Sequence, residues 1–296
     1  MRLSVVVQTK NAEQTLEQAL RSVAFADELI VVDMESSDTT REIALKFTDN
    51  VISVKDVGYV EPARNDAIAK ATGDWILLLD ADEEISVSLG EKIQTLIATE
   101  SDVACYFLPR KNMIFGEWVS DSGWWPDYQP RLFRSGVVTW KEEIHSRPLI
   151  TGKTEKLPID ESLAIIHHNY ATVSDFVDRL NRYTSITAKL SKAESPTTKA
   201  GLISSYRSEF LRRIFEQGGI DGGYRSVLLS LLQAKYELVV SAKRWENAGR
   251  PEDKSSSIKE MEKFNSELSY WIADWHEKRS GFLSKLFWRI RRKLRV

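Results

Sequence analysis

The chain has 296 residues, 42% of them apolar and nine of them Trp, which suffices for one large domain or a core with an appendage and excludes a disordered protein. Its single cysteine, Cys105, excludes an internal disulfide framework and Cys-based zinc sites, and points to a reducing compartment. Net charge is −2, but residues 278 to 296 hold eight Lys or Arg and no acid, so −2 less +8 leaves −10 on the preceding 277 residues.

The N-terminus enters a strand pattern at once, without the basic and apolar regions of a signal peptide. No apolar run approaches the roughly 18 residues of a membrane span. Leu3 to Gln8 is Val-rich and reads as a buried strand. Asn11 is expected to cap a helix, with Gln14 completing a capping box and Leu16, Ala19, Leu20 and Val23 forming one apolar stripe. Glu28 to Asp33 is the second strand, followed by a cap-rich cluster from Ser36 to Thr40 and a helix carrying Ile43, Ala44 and Phe47. Val51 to Val54 is a short third strand. After Gly58, Pro62 suits a first helical turn and Gly73 the end of that helix.

Residues 73 to 84 organise the chain. Trp75 to Leu79 has the composition of a strand buried on both faces, and it ends abruptly in Asp80, Asp82, Glu83 and Glu84. Carboxylates beside a dry sheet must face solvent, meet cations or hold a metal. The Asp80-Ala-Asp82 spacing favours a metal, because two carboxylates at a strand-to-loop bend can approach one hard cation and leave sites for phosphate oxygens. A solvated acidic turn is the plain alternative.

Strands alternating with helices every ~25 residues indicate a mainly parallel α/β sheet with a ligand crevice at the carboxyl ends of its strands. Those ends carry Thr9, Lys10 and Asn11; Asp33 and Glu35; and Asp80 and Asp82. No glycine-rich phosphate loop is present, so phosphate charge must be met by a cation or by basic side chains. Arg64 is a candidate, and an Arg that only pairs with a nearby carboxylate is its rival reading.

The first 110 residues resemble glycosyltransferase family 2, the inverting enzymes of the GT-A fold, a Rossmann-like architecture. The matching pieces are Ser4-Val-Val-Val-Gln-Thr-Lys-Asn11, Val32-Asp33-Met-Glu-Ser-Ser-Asp38-Thr, Ala63-Arg64-Asn65-Asp-Ala-Ile and Asp80-Ala-Asp82, in family order. The resemblance implies that Thr9 and Asp33 hold the base of a nucleotide, with Glu35 and Asn11 nearby. It also implies that Arg64 and Asp80 touch a nucleotide-sugar and that Asp82, with Asp80, binds Mg²⁺ or Mn²⁺ on its diphosphate. Ala12 stands where the family often has an acid.

Residues 102 to 150 are expected to finish the sheet and supply the acceptor side, with Cys105 a small apolar strand residue. Trp124-Trp-Pro-Asp127-Tyr-Gln-Pro-Arg131-Leu-Phe-Arg134 puts one carboxylate in an aromatic setting, which is expected to raise its pKa and make it a better base. An Asp capping a turn after Pro126 is the plain reading. The stretch also resembles a subgroup of the family acting on lipopolysaccharide core and related glycans, which implies Asp127 as base, with Glu142 and Glu143 as rivals. That subgroup usually has His-Glu where this chain has His145-Ser146. His145 and His167 are candidate metal ligands, since neutral imidazole accepts Mn²⁺, although a lone His is more often structural.

From Val173 onward the pattern is helical, with Gly218 to Gly223 read as a flexible turn and residues 249 to 257 as a polar linker. In residues 278 to 296, Leu283, Leu286, Phe287, Ile290 and Leu294 recur at helical spacing beside Lys285, Arg289, Arg292 and Lys293. Such a helix either packs its stripe on the protein or lies in a membrane surface, with its bases meeting anionic lipid.

The expectation is therefore three parts: a GT-A catalytic domain over 1–170, a helical extension over 171–277 and a membrane-surface helix over 278–296. The activity implied is metal-dependent inverting transfer of a hexose from a UDP-linked donor to a lipid-linked or other cell-envelope glycan. The enzyme would act in the cytoplasm at the inner membrane face, with no nucleic-acid partner. A sugar nucleotidyltransferase and an inactive glycan-binding scaffold are the alternatives. The first normally needs a glycine-rich basic loop that Thr9-Lys-Asn-Ala-Glu lacks; intact Asp33, Arg64, Asp80 and Asp82 argue against the second.

Overall fold

The computed structural model describes residues 1–56, 61–140, 148–190, 198–254 and 256–295, with residues 61–63 as backbone only. Glu142, Glu143 and His145 lie outside the described residues. The chain divides into two compact units: residues 1–120 with 124–172, and residues 121–123 with 173–296.

The first unit is a ten-stranded sheet with helices. Its described strands in chain order are β1 (Leu3–Thr9), β2 (Glu28–Asp33), β3 (Val51–Ser53), β4 (Trp75–Asp80), β5 (Glu83–Ile85) and β6 (Val103–Ile114). They continue with β7 (Glu117–Trp118), β8 (Asp127–Arg134), β9 (Val138–Thr139), β10 (Leu149–Ile150), β11 (Lys153–Lys156) and β12 (Ile165–Tyr170). The helices are α1 (Leu16–Ser22), α2 (Thr40–Ala44), α3 (Glu61–Ala69) and α4 (Val87–Ala98). The strand order is β3-β2-β1-β4-β8-β6-β12-β5, with β11 and β7 also on β6, while β9 and β10 form a separate pair. Strands β3, β2, β1 and β4 run parallel, and β8 is antiparallel to both β4 and β6. This mainly parallel sheet with a helical C-terminal region is the GT-A architecture expected from the motifs.

The unbroken apolar runs follow from burial on both faces. Leu3, Val5 and Val7 of β1 and Trp75, Leu77 and Leu79 of β4 join one core with Leu16 and Leu20 of α1 and Leu89 and Ile93 of α4. The alternate residues Val6, Ile76 and Leu78 join a second core with Ala67 and Ile68 of α3. Burying each Leu or Ile removes apolar surface worth ~1.5–3 kcal/mol, and only a period-two strand covered on both sides uses every residue of the run.

Two local expectations are corrected. Asn11 does not cap a helix: it has φ 47°, and α1 starts at Leu16 after Thr15, whose side chain makes no cap bond. Nor does Gly73 end α3, which stops at Ala69. A Cβ on Gly73 would lie 2.7 Å from Ser4 N, so glycine is required there because the chain passes against β1.

The second unit holds α5 (Val173–Leu190), α6 (Lys199–Leu211), α7 (Tyr224–Asn247), α8 (Ile258–Arg279) and α9 (Phe282–Leu294). In the glycine segment between α6 and α7, expected to be a flexible turn, Gly219 and Gly222 are crowded while Gly218 and Gly223 are open. A Cβ on Gly219 would sit 2.3 Å from Ser230 Oγ. Among the described residues, no helix is long and apolar enough to cross a membrane.

Candidate active site

The parallel register sets Thr9 beside Asp33 and Gln8 beside Asp80, so three strand ends converge at one edge of the sheet. Thr9 and Asp33 are buried. The Thr9 hydroxyl has no hydrogen-bond partner among the described residues, which leaves a polar atom beside Asp33 that a ligand can satisfy. Asn11 and Glu35 both have positive φ. They clasp the two loops together: Asn11 Oδ1 accepts from Ser37 N at 2.8 Å, Lys10 Nζ donates to Glu35 O at 3.0 Å, and Glu35 Oε2 accepts from Asp56 N at 3.2 Å. Asn11 and Glu35 thus shape the rim beside Thr9 and Asp33.

Arg64 reaches from α3 over the sheet edge. Its Nε donates to Gln8 Oε1 at 2.9 Å, its Nη2 to Asp80 Oδ1 at 3.3 Å, and its guanidinium lies 5.4 Å from the Trp140 ring. The second oxygen of Asp80 accepts from Arg131 Nη2. Asp80 therefore meets two cations. Burial works against its ionised form, but Arg131 and Arg64 outweigh it and hold the carboxyl far below the usual range.

Cross-strand register supplies the rest. Arg110 of β6 lies opposite Asp127 of β8; Asn112 of β6 lies opposite His167 of β12; and His167 lies opposite Glu83 of β5. Arg110 Nε and Nη2 donate to Asp127 Oδ2 at 2.8 and 2.6 Å, and its Nη1 donates to Glu83 Oε1 at 3.0 Å. Arg131 Nη2 reaches the same Glu83 oxygen at 2.7 Å. Glu83 Oε2 accepts the Asp80 N–H at 3.0 Å. Asn112 Nδ2 donates to Trp124 O at 3.0 Å and to Asp127 Oδ2 at 3.3 Å. Three acids, Asp80, Glu83 and Asp127, are interleaved with three arginines.

The aromatic setting does not govern Asp127 as expected. Burial alone would raise its carboxyl, but the Arg110 charge and hydrogen bonds from Arg110, Asn112 and Gln129 bring it below the ordinary range. It is an ionised, oriented carboxylate with a quarter of its side chain exposed (24%).

Asp82 lies beside His167, with Oδ2 3.5 Å from His167 Nε2. Because Asn112 donates through Nδ2, its Oδ1 is the acceptor for His167 Nδ1 at 2.7 Å. In the neutral imidazole the Nδ1 proton is committed, and the Nε2 lone pair faces the Asp82 carboxylate. A carboxylate oxygen and an imidazole lone pair turned toward each other fit a divalent cation, with the buried Asn112 orienting the ring from behind. Among the described residues, no three His, Cys, Asp or Glu side chains gather around one metal position, so phosphate or water oxygens would complete the shell.

The structure thus brings Thr9 and Asp33 together, and links Arg64, Asp80, Asp127, His167 and Asp82 in a single run of contacts. Glu143 and His145 fall outside the described residues. Sequence reasoning did not single out Arg110 and Asn112, nor assign roles to Glu83 and Arg131. Their only signal is alternation: Arg110 and Asn112 share one face of β6, as Asp127, Gln129 and Arg131 share one face of β8. Cys105 is buried in β6, and burial pushes its thiol up to about 12, leaving it inert.

Comparisons with known proteins identify the family. The glycosyl transferase family 2 model matches residues 4–152. An uncharacterized glycosyltransferase of Rickettsia bellii is 39% identical over 102 residues, 34% of each chain, so the match spans about a third of that relative's length. WfgD of Escherichia coli, a UDP-Glc:alpha-D-GlcNAc-diphosphoundecaprenol beta-1,3-glucosyltransferase, is 31% identical over 134 residues, 40% of this chain and 51% of its own. Among solved structures, S. aureus TarS 1-349 in complex with UDP aligns over 84% of this chain and 91% of its own, at 16% identity and TM-score 0.41. The family match covers half of the sequence, including β1, β2, β4, β6 and β8 but not β12 with His167: this chain belongs to glycosyl transferase family 2.

Proposed function

We propose that this glycosyltransferase transfers a hexose from a UDP-linked donor to a hydroxyl of a cell-envelope glycan or lipid-linked acceptor, by a single inverting displacement. The observation that carries the reading is the unbroken run of contacts from Asp80 through Arg131, Glu83, Arg110, Asp127 and Asn112 to His167 and Asp82. In this reading those contacts would link a donor-side acid pair to an acceptor-side carboxylate.

In this reading Thr9 and Asp33 take the base, with Asn11 and Glu35 at the rim. Arg64 meets the donor phosphates while it balances Asp80. Asp82 and His167 would hold Mg²⁺ or Mn²⁺, which would supply positive charge to the departing diphosphate. Asp127 accepts the acceptor hydroxyl proton. The hydroxyl oxygen then bonds to the anomeric carbon as the carbon–oxygen bond to the diphosphate breaks, and the nucleoside diphosphate leaves with the electron pair. Because Asp127 is already ionised, its contribution is position as well as basicity. The name of WfgD gives it a diphosphoundecaprenol-linked sugar as acceptor and that of TarS a poly(ribitol-phosphate), which supports a lipid-linked or polymeric glycan acceptor here. The reading also sets the enzyme at the cytoplasmic face of a membrane, supported by the basic, apolar C-terminal helix.

Titration calorimetry with UDP and a nucleotide-release assay over several UDP-hexoses and GDP-mannose test it. UDP binding that strengthens with Mn²⁺, and release from one UDP-sugar that EDTA abolishes and Mn²⁺ restores, is the expected result. Equal binding of UDP in EDTA and in Mn²⁺ would overturn the metal assignment; release from GDP-mannose alone would overturn the donor.

A further inference from the structure

Helix α9 is turned the opposite way from a solvated tail. At 3.6 residues per turn, Leu283, Leu286, Phe287, Ile290 and Leu294 occupy an arc of about 100°, and Lys285, Trp288, Arg289 and Arg292 occupy a similar arc diametrically opposed. The second arc faces α8 of the same unit. Arg289 Nε donates to Glu277 Oε1 at 3.0 Å, Arg292 Nη1 to Asp274 Oδ1 at 2.5 Å, and the Trp288 ring stacks on His276 at 4.0 Å. Asp274 and Glu277 are themselves buried by these contacts. The apolar arc is left outside: Leu283 is 82% exposed and Phe287 55%, and no residue of α9 is buried. Bases that a sequence reading assigns to lipid are instead spent on α8. Lys278 and Arg279 likewise pair with Asp274 and Asp221.

We propose that α9 docks on a lipid bilayer surface through this outward apolar face, with Arg291 and Lys293 at its two edges touching headgroup phosphates. The inference rests on the reading that the enzyme works at a membrane and specifies the face, the driving force and the partner. Six large apolar side chains exposed on one short helix, counting Phe282 at 88%, form a continuous patch that a soluble monomer rarely leaves in water. The edges choose the occupant. Residues 278–296 contain no acid, so two copies packed stripe to stripe would bring Arg291 and Lys293 against like charges, whereas an anionic or zwitterionic headgroup layer matches them. Because four of the eight bases are tied to acids of the same unit, insertion of apolar side chains dominates and salt weakens binding only modestly.

The test uses the full chain and vesicles of phosphatidylcholine alone or with phosphatidylglycerol. Cys105 is buried, so a cysteine placed at Phe287→Cys or Lys285→Cys can be labelled with an environment-sensitive dye. The dye at 287 should shift to the blue on vesicle addition and the dye at 285 should not. Leu283→Glu with Phe287→Glu should lower the bound fraction in flotation at least about ten-fold with an unchanged circular dichroism spectrum. Raising salt from ~0.1 to ~0.5 M should cost less than about three-fold. A shift at 285 that equals or exceeds the one at 287, or binding abolished by salt alone, overturns the face assigned here while the membrane reading stands. No flotation on either vesicle overturns both. A lipid-free dimer that Leu283→Glu dissociates overturns the proposal in favour of self-association.

Discussion

Glu83 is the keystone of the charged network, and replacing it measures how tightly the site is held. Its side chain is fully buried (0%) between Arg131, 4% exposed, and Arg110, 17% exposed. One oxygen accepts from both guanidinium groups at 2.7 and 3.0 Å, and the other accepts the Asp80 N–H at 3.0 Å. Glu83→Gln keeps the shape but deletes the negative charge and turns an amide donor toward groups that are themselves donors, leaving two arginines against two acids that already have partners. Removing one member of a buried ion pair costs about 3–5 kcal/mol. The Gln variant belongs at the lower end and Glu83→Ala at the upper. At roughly 2–4 °C per kcal/mol for a unit of this size, the Gln variant should melt about 6–12 °C lower. Arg131→Met in the same chain should recover part of the loss, because Arg110 then pairs with Asp127 and Arg64 with Asp80. The double-mutant coupling should be at least ~1 kcal/mol. Thermal melts of the four proteins, followed by circular dichroism, decide the matter. A shift below ~2 °C for Glu83→Gln, or additive effects in the double variant, would show that the network does not hold this edge together.

Asp82→Asn should cut transfer by about 10² or more and abolish the Mn²⁺ enhancement of UDP binding, because a hard cation loses its anionic oxygen; wild-type turnover in Mn²⁺ would move the metal elsewhere. Asp127→Asn should lower kcat by about 10² with little change in UDP affinity, whereas Glu143→Gln should leave kcat near wild type; the reverse pattern would transfer the base role to Glu143. The lowered Asp127 carboxyl also sets a pH signature. Its folded-state pKa lies below the unfolded value near ~3.9, so its stabilisation is complete above that value and is lost as pH falls through the folded pKa. The acid limb that Asp127 contributes to kcat/KM should accordingly lie below about pH 4, and an Asp127→Asn variant whose residual activity keeps that limb unchanged would exclude Asp127 as the base. Thr9→Val should leave the melting temperature unchanged or higher, since it removes a buried hydroxyl without a described partner, yet weaken UDP binding measured by calorimetry; unchanged affinity would remove Thr9 from the base site.

Much of the sheet was legible because its evidence is local. The apolar runs at Leu3 to Gln8 and Trp75 to Leu79 can be buried on both sides only inside a covered parallel sheet, and parallel strands put their carboxyl ends together, so Thr9, Asp33 and Asp80 had to meet. The acidic cluster after β4 was equally visible, together with the menu of solvent, cations or metal. The structure divides that menu: Glu83 and Asp80 meet arginines, while Asp82 faces His167. Loop conformations were less legible. Asn11 carries the composition of a helix cap, yet contacts with Ser36 and Ser37, 25 and 26 residues away, hold it in a left-handed turn.

The sequence by itself determined the strand and helix periods, the edge of the sheet where polar groups collect, and the apolar stripe with basic neighbours in the tail, because each follows from residues within one element. Tertiary structure alone decided the charge partners, since the alignment of Arg110 with Asp127, and of His167 with both Asn112 and Glu83, depends on the registers of strands up to 84 residues apart. It also decided the facing of α9. A helical wheel shows two opposite faces, but only the acids of α8, drawing Arg289 and Arg292 inward, determine which of them is left to the outside.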